Sequence, residues 1–198
     1  MSILEMRANC PYCMAQLEIA PKKKKNCQYC GQAIFVRNKL LMTEDDAKIE
    51  DWLVRLAQFG ITKNDLKKTR QILSEQFGVL ASINDTVWRI LNNQVIARNS
   101  FHTIEIAYYE MARLASMEGK DPMPYCSHAL QLQLNQLKSE GVKTVKIVGY
   151  GMRSDSSCEK CKLLHGETFD MEIALQDLPI PRLCENEFGC KCSYIGAD

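Results

Sequence analysis

Nine of this chain's ten cysteines stand in two groups, one near each end, and no other feature constrains the fold as strongly. The N-terminal group is two Cys-x-x-Cys pairs of identical spacing, CPYC (Cys10, Cys13) and CQYCG (Cys27, Cys30, Gly31). The C-terminal group opens with CEKC (Cys158, Cys161) and LLHGETF. An apolar run and a turn at Pro179 to Pro181 follow, then Cys184, Cys190 and Cys192. A tight knuckle lets two thiolates reach one ion, and a metal that fixes several chain positions turns its binding energy into folding energy.

Two metal clips are therefore expected, with two Zn2+ ions per chain. Cys10, Cys13, Cys27 and Cys30 make a complete four-sulfur set. At the other end, Cys158, Cys161, Cys184, Cys190 and Cys192 offer one sulfur too many for a tetrahedral site, and His165 is a further donor. Spacing there indicates metal without choosing the ligands. The last forty residues look too short and too polar to build an apolar core of their own. A disulfide framework is the competing use of ten cysteines, but it requires an oxidising compartment. The start of the chain shows no basic stretch followed by an apolar run, so a cytoplasmic location is expected.

The paired knuckles resemble the zinc ribbon, a small β module reused in bacterial, archaeal and phage proteins, and the likeness covers about a fifth of the chain. Its loop carries Lys22, Lys23, Lys24 and Lys25, and residues 1–40 hold seven basic and two acidic residues, a net of +5. With Tyr12, Tyr29 and Phe35 nearby, this composition suits phosphate contact plus base stacking. A solvated hairpin tip, or one docked on another protein, explains the same lysines.

Between the modules the pattern is helical. Gly60, Gly78, Gly119 and Gly141 each follow a periodic apolar stretch, where a helix end favours a left-handed residue. Thr43, Thr62 and Asn84 precede starts, and Asp121-Pro122 puts proline in a first turn. Helices are expected over 44–59, 63–77, 84–98, 100–118 and 122–140. Ile49, Trp52, Leu53 and Leu56, and then Trp88, Leu91 and Val95, fall at core-facing spacing. The fold class is mainly α. A helical bundle (41–141) is flanked by the ribbon (1–40) and by a strand with the second cysteine module (142–198).

Other features read as ordinary helix. The basic second helix (Lys63, Lys67, Lys68, Arg70) has a faint helix-turn-helix look, which a solvated lysine face explains. His102 and Glu105 sit three apart, a single pair without the second that a helical di-metal site needs. Met111, Met117 and Met123 read as core filler, and Cys126 and His128 as an unpaired thiol and a capping-region histidine.

After Gly141 the period changes to two, and Val142, Val145 and Ile147 mark a strand broken at Gly149-Tyr150-Gly151. The order of strand, polar loop with Asp155, Cys158 and Cys161, Leu164-His165-Gly166, Phe169 and a late Cys-x-Cys resembles the ending of phage minor head morphogenesis (Mu F-like) proteins. That resemblance covers about fifty residues and implies a phage assembly role. It matches Cys158, Cys161, Cys190 and Cys192 to the family's pairs, and Cys184 stands where the family has histidine.

His165-Gly166-Glu167 also fits the first half of the zinc deaminase signature, in which His165 would bind metal and Glu167 move protons. The second half, Pro-Cys-x-x-Cys, is missing, and four thiolates leave a zinc no open position for water. The expectation is a non-enzymatic, zinc-binding bacterial or phage protein. Nucleic acid or another protein is its partner, and membrane is not. A phage head-assembly protein and a zinc-dependent hydrolase or deaminase are the rivals.

Overall fold

The computed structural model describes residues 8–97, 100–149, 158–187 and 189–197. Tyr150, Gly151, Arg153 and Asp155, which the sequence places in the loop before the second knuckle, lie outside them, as does Arg7. The chain is mainly α, with short antiparallel strands at both ends. It divides into two compact units, residues 1–87 and 88–198.

The first unit opens with a hairpin of β1 (Ala8–Asn9) and β2 (Gln16–Leu17). A three-stranded antiparallel sheet follows, made of β3 (Lys25–Asn26), β4 (Ala33–Arg37) and β5 (Leu40–Met42) with β4 central. Helix α1 (Glu44–Leu56) then packs along β4 and β5. Its start is fixed by Thr43, whose hydroxyl accepts the Asp46 N–H at 3.1 Å. A 3-10 turn (Ala57–Phe59) ends it at Gly60. Helix α2 (Lys63–Phe77) begins with a reciprocal cap, in which Thr62 accepts the Asp65 N–H and Asp65 accepts the Thr62 N–H. Each such cap satisfies amide donors that the first turn leaves without partners, worth about 1 kcal/mol.

Ile49, Trp52 and Leu56 are buried as their spacing predicts, joined by Leu66 and Leu73 of α2. Polar contacts hold the N-terminal cysteine module to α1. Arg37 grips Asp51 through two 2.7 Å bonds, which keeps the Asp51 carboxyl below its usual range. The Tyr12 hydroxyl accepts the Glu44 N–H at 2.8 Å. On α2, Lys63 pairs with Glu50 and Arg70 with Asp45 and the Ala81 carbonyl. Two members of the basic helix face are thus tied down within this unit, while Lys67 and Lys68 point to solvent.

The boundary between units falls inside α3 (Ile83–Ile96), which starts one residue earlier than the sequence suggests. Ser82, rather than Asn84, caps it by accepting the Asp85 N–H at 3.0 Å. The second unit is built on α4 (Phe101–Met117) and α5 (Met123–Ser139), which pack extensively together. Met111 is core, as expected of a filler, but Met117 is exposed. Trp88 Nε1 donates to Glu118 at 3.2 Å, and its ring lies 5.2 Å from that of Tyr125.

The C-terminal region holds more regular structure than its composition suggests. Strand β6 (Thr144–Gly149) is central in an antiparallel sheet, flanked by β7 (Thr168–Asp170) and β8 (Cys192–Gly196). Short helices α6 (Glu159–Leu164), α7 (Met171–Asp177) and α8 (Pro179–Arg182) fill the connections. Val145 and Ile147 of β6, Met171 and Ala174 of α7, Ile180 and Tyr194 share one core with Leu130 and Leu134 of α5. This stretch does not build an apolar core of its own but shares one with α5, which supplies the missing face. Among the described residues, no helix is long and apolar enough to cross a membrane.

His102 and Glu105 on α4 approach to 4.0 Å, with the histidine exposed and the Glu105 side chain mostly covered. Burial raises the Glu105 pKa, and the nearby His102 offsets this in part. A carboxyl whose folded pKa lies above its unfolded value costs nothing while both states are protonated. Its penalty appears as pH rises through the folded value. Glu105→Gln is expected to raise the melting temperature at pH 7, with the gain vanishing near pH 4. Melting curves at the two pH values check this.

Candidate metal centres

The N-terminal centre is two turns of the same construction. In the first, Cys10 N–H bonds to Ala15 O at 2.9 Å and Met14 N–H to Cys10 O at 3.0 Å. In the second, Cys27 N–H bonds to Gln32 O at 2.8 Å and Gly31 N–H to Cys27 O at 2.9 Å. Within each turn an amide points at the leading sulfur, Tyr12 N–H at Cys10 and Tyr29 N–H at Cys27, both at 3.4 Å. The Cys30 amide, with help from that of Tyr29, brings the Cys27 thiol down to about 7. Such donors favour the thiolate, the form that binds metal.

The two turns bring all four Sγ atoms within 4.8 Å of one another. Cys10 and Cys30 stand 3.8 Å apart, Cys13 and Cys27 3.9 Å. A tetrahedral ion with metal–sulfur bonds of about 2.3 Å sets its sulfurs about 3.8 Å apart. The geometry therefore fits one ion held by Cys10, Cys13, Cys27 and Cys30, as their spacing predicts. Both turns need a left-handed residue after the second cysteine. Gly31 supplies it at φ 74°, whereas the first turn forces Met14 to φ 60°.

The C-terminal centre draws its ligands from four places. Cys158 precedes α6 and Cys161 lies within it, so one helical turn presents both sulfurs. Cys184 follows α8, where its N–H bonds to Pro181 O at 2.7 Å. The Tyr194 hydroxyl positions this arm, accepting the Ile180 N–H and donating to the Ile180 carbonyl, each at 3.2 Å. Cys190 follows Gly189, and Cys192 opens β8 opposite Gly149 of β6. Gly189 sits at φ 91°, and a Cβ there would stand 2.9 Å from Cys126 Sγ. Cys126 is thus a packing thiol under the Cys190 loop, and burial pushes its pKa up to about 11.

These five sulfurs fall into two triads, Cys158–Cys161–Cys184 and Cys161–Cys190–Cys192, each with its Sγ atoms within 4.8 Å and with Cys161 common to both. Cys184 also interacts with Cys190, which joins the triads into one cluster. Cys158 and Cys184 lie 3.9 Å apart, Cys161 and Cys190 4.0 Å. Backbone amides again aim at sulfur, from Glu185 to Cys158 at 3.4 Å and from Asn186 to Cys184 at 3.5 Å. Without metal, hydrogen bonds from Cys161 and Cys190 bring the Cys192 thiol down to about 4. The Cys161 sulfur in turn pushes Cys190 up. Both donor sets are all sulfur and suit a thiophilic cation.

His165, the further donor suggested by sequence, joins neither triad. Its Nδ1 accepts the Gly149 N–H at 3.0 Å, so the ring braces the end of β6. Glu167 is drawn to the same strand through its backbone, with its carbonyl accepting the Ile147 N–H at 3.1 Å. Lys22, Lys23, Lys24 and Lys25 are exposed, and Lys24 Nζ lies 4.7 Å over the Phe35 ring.

The two glycines make different demands. An alanine Cβ at Gly31 would meet nothing within 4 Å, so Gly31→Ala should cost only its left-handed backbone, about 1 kcal/mol. Gly189→Ala adds overpacking against Cys126 and should cost roughly 2–4 kcal/mol, part of which Cys126→Ala recovers. Urea titrations read through Trp52 for the first unit and Trp88 for the second measure both. Equal costs at the two positions would contradict the wedge at Cys126. No protein family matches the chain, and neither a curated protein nor a solved structure is significantly similar to it. The likeness of its ending to phage minor head proteins therefore rests on the quoted residues alone.

Proposed function

We propose that the chain is a zinc-binding protein without catalytic chemistry at its metals, and that its basic ribbon contacts single-stranded nucleic acid. The observation that carries the reading is the complete four-sulfur cage directly beside an exposed run of four lysines. A clamped hairpin presents cations at fixed positions, and phosphates recognise such an array with little ordering cost. Tyr29 is 57% exposed beside the cage and is the free stacking face, since Tyr12 is bonded to α1 and Phe35 lies under Lys24.

A protein partner is the second reading, favoured by one feature. Ile19 is 80% exposed at the rim of a small cavity of about 70 Å³ between Leu17, Pro21, Lys25 and Ile34. Such a recess suits an apolar side chain better than a base with its charged backbone. Zinc is the metal we assign, because an all-thiolate tetrahedral cage with no open position is its structural use.

Fluorescence anisotropy with a labelled single-stranded oligonucleotide separates the readings. Each phosphate neutralised on a single strand contributes about 0.7 to the slope of log affinity against log salt. Changing Lys22, Lys23, Lys24 and Lys25 to Gln should flatten that slope by roughly 2 to 3 and leave metal content unchanged. Absence of binding at low salt, or an unaltered slope in the variant, would exclude the nucleic-acid role and favour the protein partner.

A further inference from the structure

We infer that one zinc ion at the C-terminal centre is held by Cys158, Cys161, Cys184 and Cys190. Cys192 reaches two of these sulfurs and is not itself a ligand. This rests on the reading that these cysteines bind metal, and it chooses the ligand set that their spacing leaves open.

A tetrahedral ion needs four donors that close on one another. Cys158 and Cys184 stand 3.9 Å apart, and Cys161 and Cys190 4.0 Å. Those two pairs match the 3.8 and 3.9 Å pairs of the N-terminal quartet. Cys161 lies within 4.8 Å of both Cys158 and Cys184, and Cys184 interacts in turn with Cys190. The four sulfurs are thereby joined without Cys192.

Cys192 is placed differently. It comes within 4.8 Å of Cys161 and Cys190, but it acts on Cys184 and Cys158 as a more distant charge rather than as a hydrogen-bond partner. Using Cys192 in place of Cys184 would leave out a sulfur 3.9 Å from Cys158. Using it in place of Cys158 would leave out a sulfur that already accepts the Glu185 N–H at 3.4 Å.

Backbone amides mark the same choice. In each N-terminal turn the amide two residues on points at the leading sulfur, from Tyr12 to Cys10 and from Tyr29 to Cys27. Asn186 repeats that contact on Cys184 at 3.5 Å. Such donors take up part of the negative charge that four thiolates leave around a divalent ion. Adding Cys192 as a fifth ligand would bring further charge to a sulfur only 2% exposed, where it is costly. Cys192 instead shares the apolar core of Ile147 and Tyr194, the ordinary place of a free cysteine.

Native mass spectrometry of the zinc-loaded full chain should show two ions. With cadmium-113 in both centres, a proton–cadmium correlation spectrum should link one metal resonance to the β-protons of Cys158, Cys161, Cys184 and Cys190. The β-protons of Cys192 should show no link. A link from Cys192, or a missing link from Cys158 or Cys184, would overturn the ligand set while leaving metal binding at this centre intact. One ion in total, held by the N-terminal cysteines, would overturn metal binding here altogether. In support, Cys158→Ser and Cys184→Ser should each lose the second ion at a chelator concentration at which Cys192→Ala keeps it. The correlation is read on the unmodified chain, so a variant that misfolds does not blunt the test.

Discussion

Sulfurs held within 4.8 Å of one another are the constraint on which both units depend. Two ionised thiolates at about 4 Å repel by about 4 kcal/mol at an effective dielectric of 20, and a quartet contains six such pairs. Full ionisation without a cation is therefore excluded, and protonation of most of the sulfurs is the metal-free state. The backbone is nonetheless shaped for thiolates, with amides aimed at Cys10, Cys27, Cys158 and Cys184. A bound metal would resolve the conflict by replacing mutual repulsion with a shared attraction.

The two centres meet that constraint differently. In the first unit the cage closes a small sheet whose own core is Leu17 and Ile34 with the cysteines, and α1 is then bolted on by Arg37–Asp51 and Tyr12. In the second unit, Cys161, Cys190 and Cys192 are part of the main core, packed with Leu130, Leu134, Ile147 and Tyr194. There the cluster joins three connections that would otherwise be loops. The Tyr194 hydroxyl sets the Cys184 arm and Gly189 lets the Cys190 loop pass Cys126.

Local signals were legible in the sequence where local physics dominates. The helices between Glu44 and Ser139 lie within a few residues of where caps and glycines put them, and the N-terminal ligand set follows from spacing alone. Ser82 was missed as a cap because Asn84, two residues on, has the same chemistry. The C-terminal sheet was only half legible. Strand β6 shows its alternation, but β7 is three residues long, and β8 begins at a cysteine that looks like a ligand rather than a strand. The core of this region was not legible because part of it comes from α5, whose own pattern reads as a member of the helical bundle. The grouping of its five sulfurs is a matter of three-dimensional path, which cysteine spacing leaves open.

Burial of the sulfurs sets a hierarchy of metal exchange. Cys13 and Cys30 face solvent, so a chelator could reach an ion on the N-terminal centre by displacing one sulfur at a time. Cys161, Cys190 and Cys192 are buried, so their sulfurs become accessible only when the core around Leu134 and Ile147 opens, while Cys158 and Cys184 are half-buried. A metal on the first centre would therefore exchange by ligand competition, and one held by the buried sulfurs of the second unit on the timescale of core opening. Within one chain, a metal on the first centre would follow the free metal of its surroundings, and one on the buried sulfurs of the second would exchange more slowly.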